Sequence, residues 1–232
     1  MEHSKLWYLQ KSEFFANLPQ EFYTIMDKES RMVECRRGRS LYLPGDPANE
    51  VYILKQGLVK ISKLTEDGKK VTLEILSPGT IFGGLPGKGA RAQEELAEVM
   101  DDGLICVLTR RDFEYLMERF PTLYARLSKL VGLRLAKIEQ KLSDLLFKDI
   151  EHRLAQLFLE LADQFGVDDA RGRLIRIKLT HQEVANLIGA TRESVSVNIG
   201  AWRRSGWLIT DGKRFILPDA EGLAERFLTA GD

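Results

Sequence analysis

The sequence predicts an α+β chain in three parts: an antiparallel β-roll, a long helix and a small helical domain closed by a hairpin. Three observations carry this. Short alternating runs with regularly spaced turn residues fill residues 32–108. A helical stretch over 110–146 carries an apolar seam. Residues 180–217 join two capped helices to two short alternating runs. At 232 residues the chain suits two small domains better than one.

Composition narrows the classes. Apolar residues make up 44% and charged residues 29%, enough apolar material for a core. The 34 Lys and Arg balance 34 Asp and Glu, so any field that recruits a polyanion must be local. Two cysteines, Cys35 and Cys106, are too few for a disulfide scaffold, a tetracysteine zinc site or a cysteine-ligated iron–sulfur cluster. They read as reduced thiols. No run approaches the ~18 apolar residues of a membrane span, and residues 1–15 lack a signal-peptide core. A cytoplasmic protein with no membrane partner is expected.

The elements follow in order. Phe14, Phe15, Leu18, Phe22, Ile25 and Met26 make an apolar helical pattern interrupted by Pro19, which predicts two short helices around it. Strands are expected at 41–43, 51–54, 58–64, 71–76 and 104–108. They are separated by Pro44-Gly45-Asp46-Pro47, Gln56-Gly57, Glu66-Asp67-Gly68-Lys69 and Ser77-Pro78-Gly79. The Asp-Gly between two alternating runs is a strong hairpin signal. Strands at this spacing read as an antiparallel barrel or jelly roll. Gly83, Gly84, Pro86, Gly87 and Gly89 then make a flexible loop, and 93–99 suits a short helix. Glycines that let a backbone approach a ligand, inside a barrel, point to a pocket.

Over 110–146 one helix is expected. Tyr124, Ser128, Val131, Leu135, Ile138, Leu142 and Leu145 recur at alternating spacings of four and three, the seam of a two-stranded coiled coil. Leu123, Leu127, Leu130 and Leu133 fall beside it and would pack on the barrel. A helix apolar on two sides predicts a homodimer interface. Phe147-Lys148-Asp149 reads as a hinge, with Asp149 the N-cap of a helix over 150–165. An acidic loop over 166–172 and a short strand over 174–179 follow.

Residues 180–204 read as helix–turn–helix. Thr180 and Glu183 form a capping box, Val184, Ala185, Leu187 and Ile188 face inward, and Gly189 stops the helix. Thr191 caps a second helix with Val195, Ile199 and Trp202 inside. Runs at 207–210 and 213–217 around Asp211-Gly212 form a wing. Between 171 and 214, nine bases stand against three acids, a local excess in a neutral chain. This predicts double-stranded DNA as partner and a steep salt dependence. Arg192 and Glu193, in the first turn of the second helix, suit guanine and cytosine edges. Thr180, Gln182, Thr191 and Ser194 suit phosphates, as do Arg203 and Lys213. No nucleophile–base constellation, metal-ligand spacing or P-loop argues for an enzyme.

Four groups of residues recur in one order: Tyr42-Leu43-Pro44-Gly45-Asp46-Pro47-Ala48-Asn49-Glu50-Val51-Tyr52; Gly57-Leu58-Val59-Lys60-Ile61; Leu76-Ser77-Pro78-Gly79-Thr80-Ile81-Phe82-Gly83; and, after the long helix, Leu179-Thr180-His181-Gln182-Glu183-Val184-Ala185 with Thr191-Arg192-Glu193-Ser194-Val195-Ser196. From about residue 14 to 217 the chain thereby resembles the cyclic-AMP receptor protein / fumarate–nitrate regulator (CRP/FNR) family of bacterial transcription factors. The resemblance implies a cyclic-nucleotide-binding-type β-roll over 1–110, a dimerisation helix over 111–147 and a winged helix-turn-helix domain over 148–232. It also implies a homodimer on a near-palindromic operator, activation through RNA polymerase, and base contacts that include Ser196 and Val197.

Two departures qualify it. Cyclic-AMP-binding members of the family carry Gly-Glu after the Phe and an Arg-Ser or Arg-Thr pair about ten residues on. Here Gly83-Gly84 follow Phe82, and the pair falls on Glu94-Glu95, with Arg91 nearby but out of register. Two carboxylates facing a cyclic phosphate would repel it. A degenerate pocket is expected, with no cofactor and no cyclic-AMP control; a ligand held in a non-standard way is the alternative. Second, the position three after Ser194, usually an Arg that reads guanine, is Val197, which suits a thymine methyl. His3, His152 and His181 fall outside the roll, so no haem ligand is expected there, and no metal.

Overall fold

A computed structural model describes residues 10, 12–66, 69–86 and 92–228. The chain divides into two compact units, Met1–Ala136 and Lys137–Asp232, and the division falls inside the long helix.

In the first unit, helix α1 spans Gln20–Glu29 and begins at Pro19. Residues 13–17 are turns, so the helix expected before Pro19 is not formed there; the rest of that segment lies largely outside the described residues. The roll is built from β1 (Arg31–Cys35), β2 (Ser40–Tyr42), β3 (Glu50–Leu64), β4 (Lys70–Leu76), β5 (Ile81–Gly83) and β6 (Leu96–Thr109), all paired antiparallel. The runs at 51–54 and 58–64 are one strand, irregular around Gln56 and Gly57. There β3 and β6 approach so closely that a Cβ on Gly57 would lie 2.7 Å from the Asp101 carbonyl oxygen, and one on Gly103 would overlap the Gln56 carbonyl. Asp67 and Gly68, the expected turn between β3 and β4, lie outside the described residues.

The helix expected at 93–99 is not formed: 96–99 open β6, and 93–95 are irregular. Ala97 and Val99 enter the core opposite Ile61 and Val59, and Glu98 lies 3.7 Å from Lys60 on β3 and 2.7 Å from Lys70 on β4. Pairing and burial override the helix propensity of Gln, Glu and Ala.

The expected helix over 110–146 is two helices, α2 (Arg110–Arg119) and α3 (Thr122–Phe147). Pro121 separates them, because proline has no N–H for the helical ladder and disfavours helical backbone in the residue before it. Leu123 and Leu127 are buried with Phe15, Phe22, Phe113 and the roll residues Val51 and Ile81, and Leu130 packs against them. Leu133, expected in that set, is exposed.

In the second unit, α4 (Ile150–Phe165) starts at Asp149, whose carboxylate accepts the His152 backbone N–H. That hydrogen bond holds the Asp149 carboxyl below its ordinary range. The expected acidic loop is a hairpin, β7 (Gly166–Asp169) and β8 (Gly172–Ile175), and the strand placed at 174–179 is this shorter, earlier β8. The hairpin turns at Gly172 (φ 130°), where an L side chain would be strained and would meet the Leu217 carbonyl. Helices α5 (His181–Ile188) and α6 (Arg192–Arg204) and strands β9 (Ile209–Asp211) and β10 (Arg214–Leu217) follow, then α7 (Ala220–Leu228). The sheet order is β7-β8-β10-β9. Phe158, Trp202 and Phe215 meet in the core between α4, α6 and the sheet.

Candidate nucleic-acid interface

The second unit presents two helices whose starts are formed by their own side chains. The Thr180 hydroxyl accepts the Glu183 N–H at 3.2 Å while Glu183 accepts the Thr180 N–H at 2.8 Å, a complete capping box. Gly189 closes α5 in the left-handed region (φ 63°), and Arg153 of α4 donates to the Ile188 carbonyl at 2.6 Å. The Thr191 hydroxyl accepts the Ser194 N–H and donates to the Ser194 hydroxyl. These two caps and the single residue between Gly189 and Thr191 set the angle between α5 and α6.

On α6, Val195, Ile199 and Trp202 are buried. Arg192, Glu193 and Val197 project outward, Val197 at 70% exposure, and Arg203 is exposed further along. A valine so exposed is suited to a methyl group on a partner. Ser196 is half-buried: its hydroxyl donates to the Arg192 carbonyl at 2.8 Å and meets His181 Nδ1 at 2.8 Å. Ser196 is therefore committed within the protein, and sequence reading missed the His181 link because it joins two helices. Gln182 donates to Asn186. Lys213 is exposed at the wing tip, beside Gly212 (φ 62°).

The charge count needs a correction. Arg173 pairs with Asp168 at 2.7 Å, and Arg171 with Asp169 at 2.8 Å and Asp211 at 3.2 Å. Asp168 and Asp169 lie just outside the window first counted, and over 166–214 nine bases face five acids. Bonding to Arg171 holds the Asp169 carboxyl below its ordinary range. The cations without a carboxylate partner in these pairs are concentrated on α6 and the wing.

In the first unit, Gly83 and Gly84 after Phe82 lie against filled space. Tyr42, Tyr52 and Phe82 cluster with centroids 5.3–6.4 Å apart, and the Tyr52 hydroxyl donates to Glu50 at 2.8 Å. Burial pushes both tyrosine hydroxyls above their ordinary range, with the Glu50 bond adding to the effect at Tyr52. Gly83 (φ 91°) is roofed by the Tyr52 ring, and a Cβ on Gly84 would overlap the Ala48 carbonyl oxygen. From α3, Arg134 donates to the Ile81 carbonyl at 2.9 Å and lies 3.5 Å from Glu74. Glu94 is exposed, 3.7 Å from Lys63; Glu95 is half-buried and near the Tyr42 hydroxyl. Arg91 lies outside the described residues.

The predicted seam is exposed on the isolated chain. Tyr124, Val131, Leu135, Ile138, Leu142 and Leu145 are each 45–57% exposed, and Ser128 is exposed with them. Among the described residues no helix is long and apolar enough to cross a membrane, and no group of three His, Cys, Asp or Glu is placed to hold a metal ion.

Comparisons with known proteins meet this geometry at both ends. Residues 32–120 match the family described as cyclic nucleotide-binding domain, and residues 152–226 match the Crp-like helix-turn-helix domain. The "CRP-like cAMP-activated global transcriptional regulator" of Mycobacterium tuberculosis is 29% identical over 224 residues, 94% of this chain and 97% of that protein. The "Anaerobic regulatory protein" of Bacillus subtilis is 30% identical over 195 residues, 84% of this chain and 82% of that one. Among solved structures, a CooA mutant from Carboxydothermus hydrogenoformans superposes with a TM-score of 0.74 at 26% identity, covering 97% of both chains. With both halves matched in order and a relative at this identity along most of its length, the chain belongs to the CRP/FNR family of DNA-binding transcription regulators.

Proposed function

We propose that the protein is a homodimeric, sequence-specific transcription regulator in the cytoplasm, an activator that touches RNA polymerase and is competent on DNA without cyclic AMP. Its parts are the roll over 1–110, the dimerisation helix over 111–147 and the DNA domain over 148–232. One observation carries the reading: α6 holds Arg192, Glu193 and Val197 outward from a start already capped by Thr191, with its apolar face buried. The side chains that would meet base edges need no rearrangement of their own helix. Gln182, Ser194, Arg203 and Lys213 supply phosphate contacts that set register, while Thr180 and Thr191, whose hydroxyl hydrogens go to Glu183 and Ser194, hold the helix starts behind them. Ser196 acts behind this surface rather than on a base.

Dimerisation is supported by the seam. Six large side chains at coiled-coil spacing, each about half exposed, form an apolar stripe that a second copy would cover. Independence from cyclic AMP is supported by the cassette. The residues present do not fit a cyclic nucleotide held in the family manner. Gly84 has no room for a ribose-binding side chain, Glu94 and Glu95 replace the basic and hydroxyl pair, and Arg134 is engaged by Glu74 and Ile81.

The test is duplex selection from a random pool by the ligand-free full chain, repeated with cyclic AMP and cyclic GMP. Tight, selective binding unchanged by nucleotide is expected. Binding that appears only with nucleotide would overturn the reading of the cassette.

A further inference from the structure

We infer that His181 is a proton-gated phosphate contact, held by Ser196 in the one neutral tautomer that cannot make it. The inference rests on the proposed DNA reading of α5 and α6. It starts from two distances. The Ser196 hydroxyl is 2.8 Å from the Arg192 carbonyl oxygen and 2.8 Å from His181 Nδ1. A hydroxyl has one hydrogen. Were it turned to the imidazole, two oxygens would face each other at hydrogen-bond distance with no proton between them. The hydrogen therefore goes to Arg192, and Ser196 Oγ accepts from His181. Nδ1 must carry a proton in every state of the ring.

The consequence lies at the other nitrogen. With Nδ1–H fixed, the neutral ring has a bare lone pair at Nε2, and ring geometry directs Nε2 away from Ser196. A phosphate oxygen is only an acceptor, so the neutral ring has nothing to offer it. Protonation supplies a donor and a positive charge together. His181 is half-buried, the first residue of α5, and sits between the capping Thr180 and Gln182, a proposed phosphate contact.

The charged groups around it are accounted for. On its own helix, Glu183 is bound to the Thr180 N–H and hydroxyl. Arg192 and Glu193, at the start of α6, are exposed, and Arg153 of α4 binds the far end of α5. Lys178 precedes the cap and is exposed, and the Lys213 carbonyl accepts the Leu179 N–H.

The test uses the full chain and a random-sequence duplex, because a phosphate contact does not depend on sequence. Affinity and its salt dependence are measured at about pH 5.5 and about pH 8, either side of the range where imidazoles titrate. The wild type is expected to bind about two- to fivefold tighter at the lower pH than His181→Gln does, relative to their values at the higher pH. Its log–log salt slope should steepen by roughly one per subunit, about two for the dimer, over the same interval. Ser196→Ala, which frees the ring to take the Nε2–H form, should shrink that pH dependence. Nitrogen-15 spectra of the imidazole should show Nδ1–H in the wild type at high pH, although free imidazole favours Nε2–H. Equal pH dependence in wild type and His181→Gln, or an Nε2–H ring in the wild type, overturns the inference while leaving the DNA reading standing. No duplex binding at any pH removes the DNA reading and the phosphate role together.

Discussion

The glycine-rich cassette after Phe82 and the helix–turn–helix are both recognition segments by family position, yet they treat their polar groups in opposite ways. In the roll, space next to the cassette is taken by Tyr42, Tyr52 and Phe82 and by backbone against Gly84, and Arg134 is bound to Glu74 and Ile81. In the helix–turn–helix, internal bonds are spent on caps and on the crossing of α5 and α6, leaving Arg192, Glu193 and Val197 facing solvent. A site needs both the residue types and a surface on which they are free to act. On the reading proposed above the second segment keeps both, whereas the space beside Gly83 and Gly84 is taken by the protein's own side chains and backbone.

The sharpest way to break this contrast is to separate the two copies. Leu135→Glu places a charge in the proposed seam twice over by symmetry, and burying an unpaired carboxylate costs on the order of several kcal/mol. Sedimentation at low micromolar concentration is expected to show monomers, with operator binding lost. A persisting dimer would remove α3 as the interface. Next, Gly84→Ala forces a Cβ into the Ala48 carbonyl, and overpacking of this kind costs about 1–3 kcal/mol in chemical denaturation. An unchanged midpoint would mean that the cassette backbone yields easily and that the space is not filled as described. On the other side, Arg192→Ala should cost ~1–3 kcal/mol on the selected duplex and little on random DNA. Equal weakening on both would leave Arg192 a phosphate contact.

What the sequence made legible follows the same line. Caps are local, so Thr180, Glu183, Gly189, Thr191 and Asp149 could be read from spacing alone, and each takes its expected place. The exposed stripe on α3 was legible from its alternating spacings of four and three, which set it beside the Leu123 and Leu127 face that packs on the roll. Non-local pairing was not. Residues 93–99 carry helix formers, but 96–99 fall opposite β3, and the charge of Glu98 between Lys60 and Lys70 belongs to the sheet. Asp168 and Asp169 escaped the charge count because their hairpin read as a loop, and the hairpin turns them onto Arg173 and Arg171. The link between Ser196 and His181 was not legible because the two lie 15 residues apart on different helices. Pro121 is the exception: a local signal that breaks the helix and was outweighed by the periodicity that follows it.

The smallest effect tests whether local caps and non-local packing differ in weight as this contrast requires. Asp149 caps α4 through the His152 N–H, the largest cause of its lowered carboxyl pKa. Replacing it with Ala should cost about 1 kcal/mol, less than a clash in the roll, whereas Asn should keep most of the cap. A carboxyl depressed in the folded state stabilises above its unfolded pKa and loses that contribution as pH falls through the folded value. The Asp149→Ala deficit, measured by denaturation of the full chain, should therefore be full at neutral pH and shrink below the ordinary carboxylate range. A deficit that stays constant into strong acid would assign the effect to helix propensity at that position, and the start of α4 would then be set by packing of Leu154 and Phe158, like the roll.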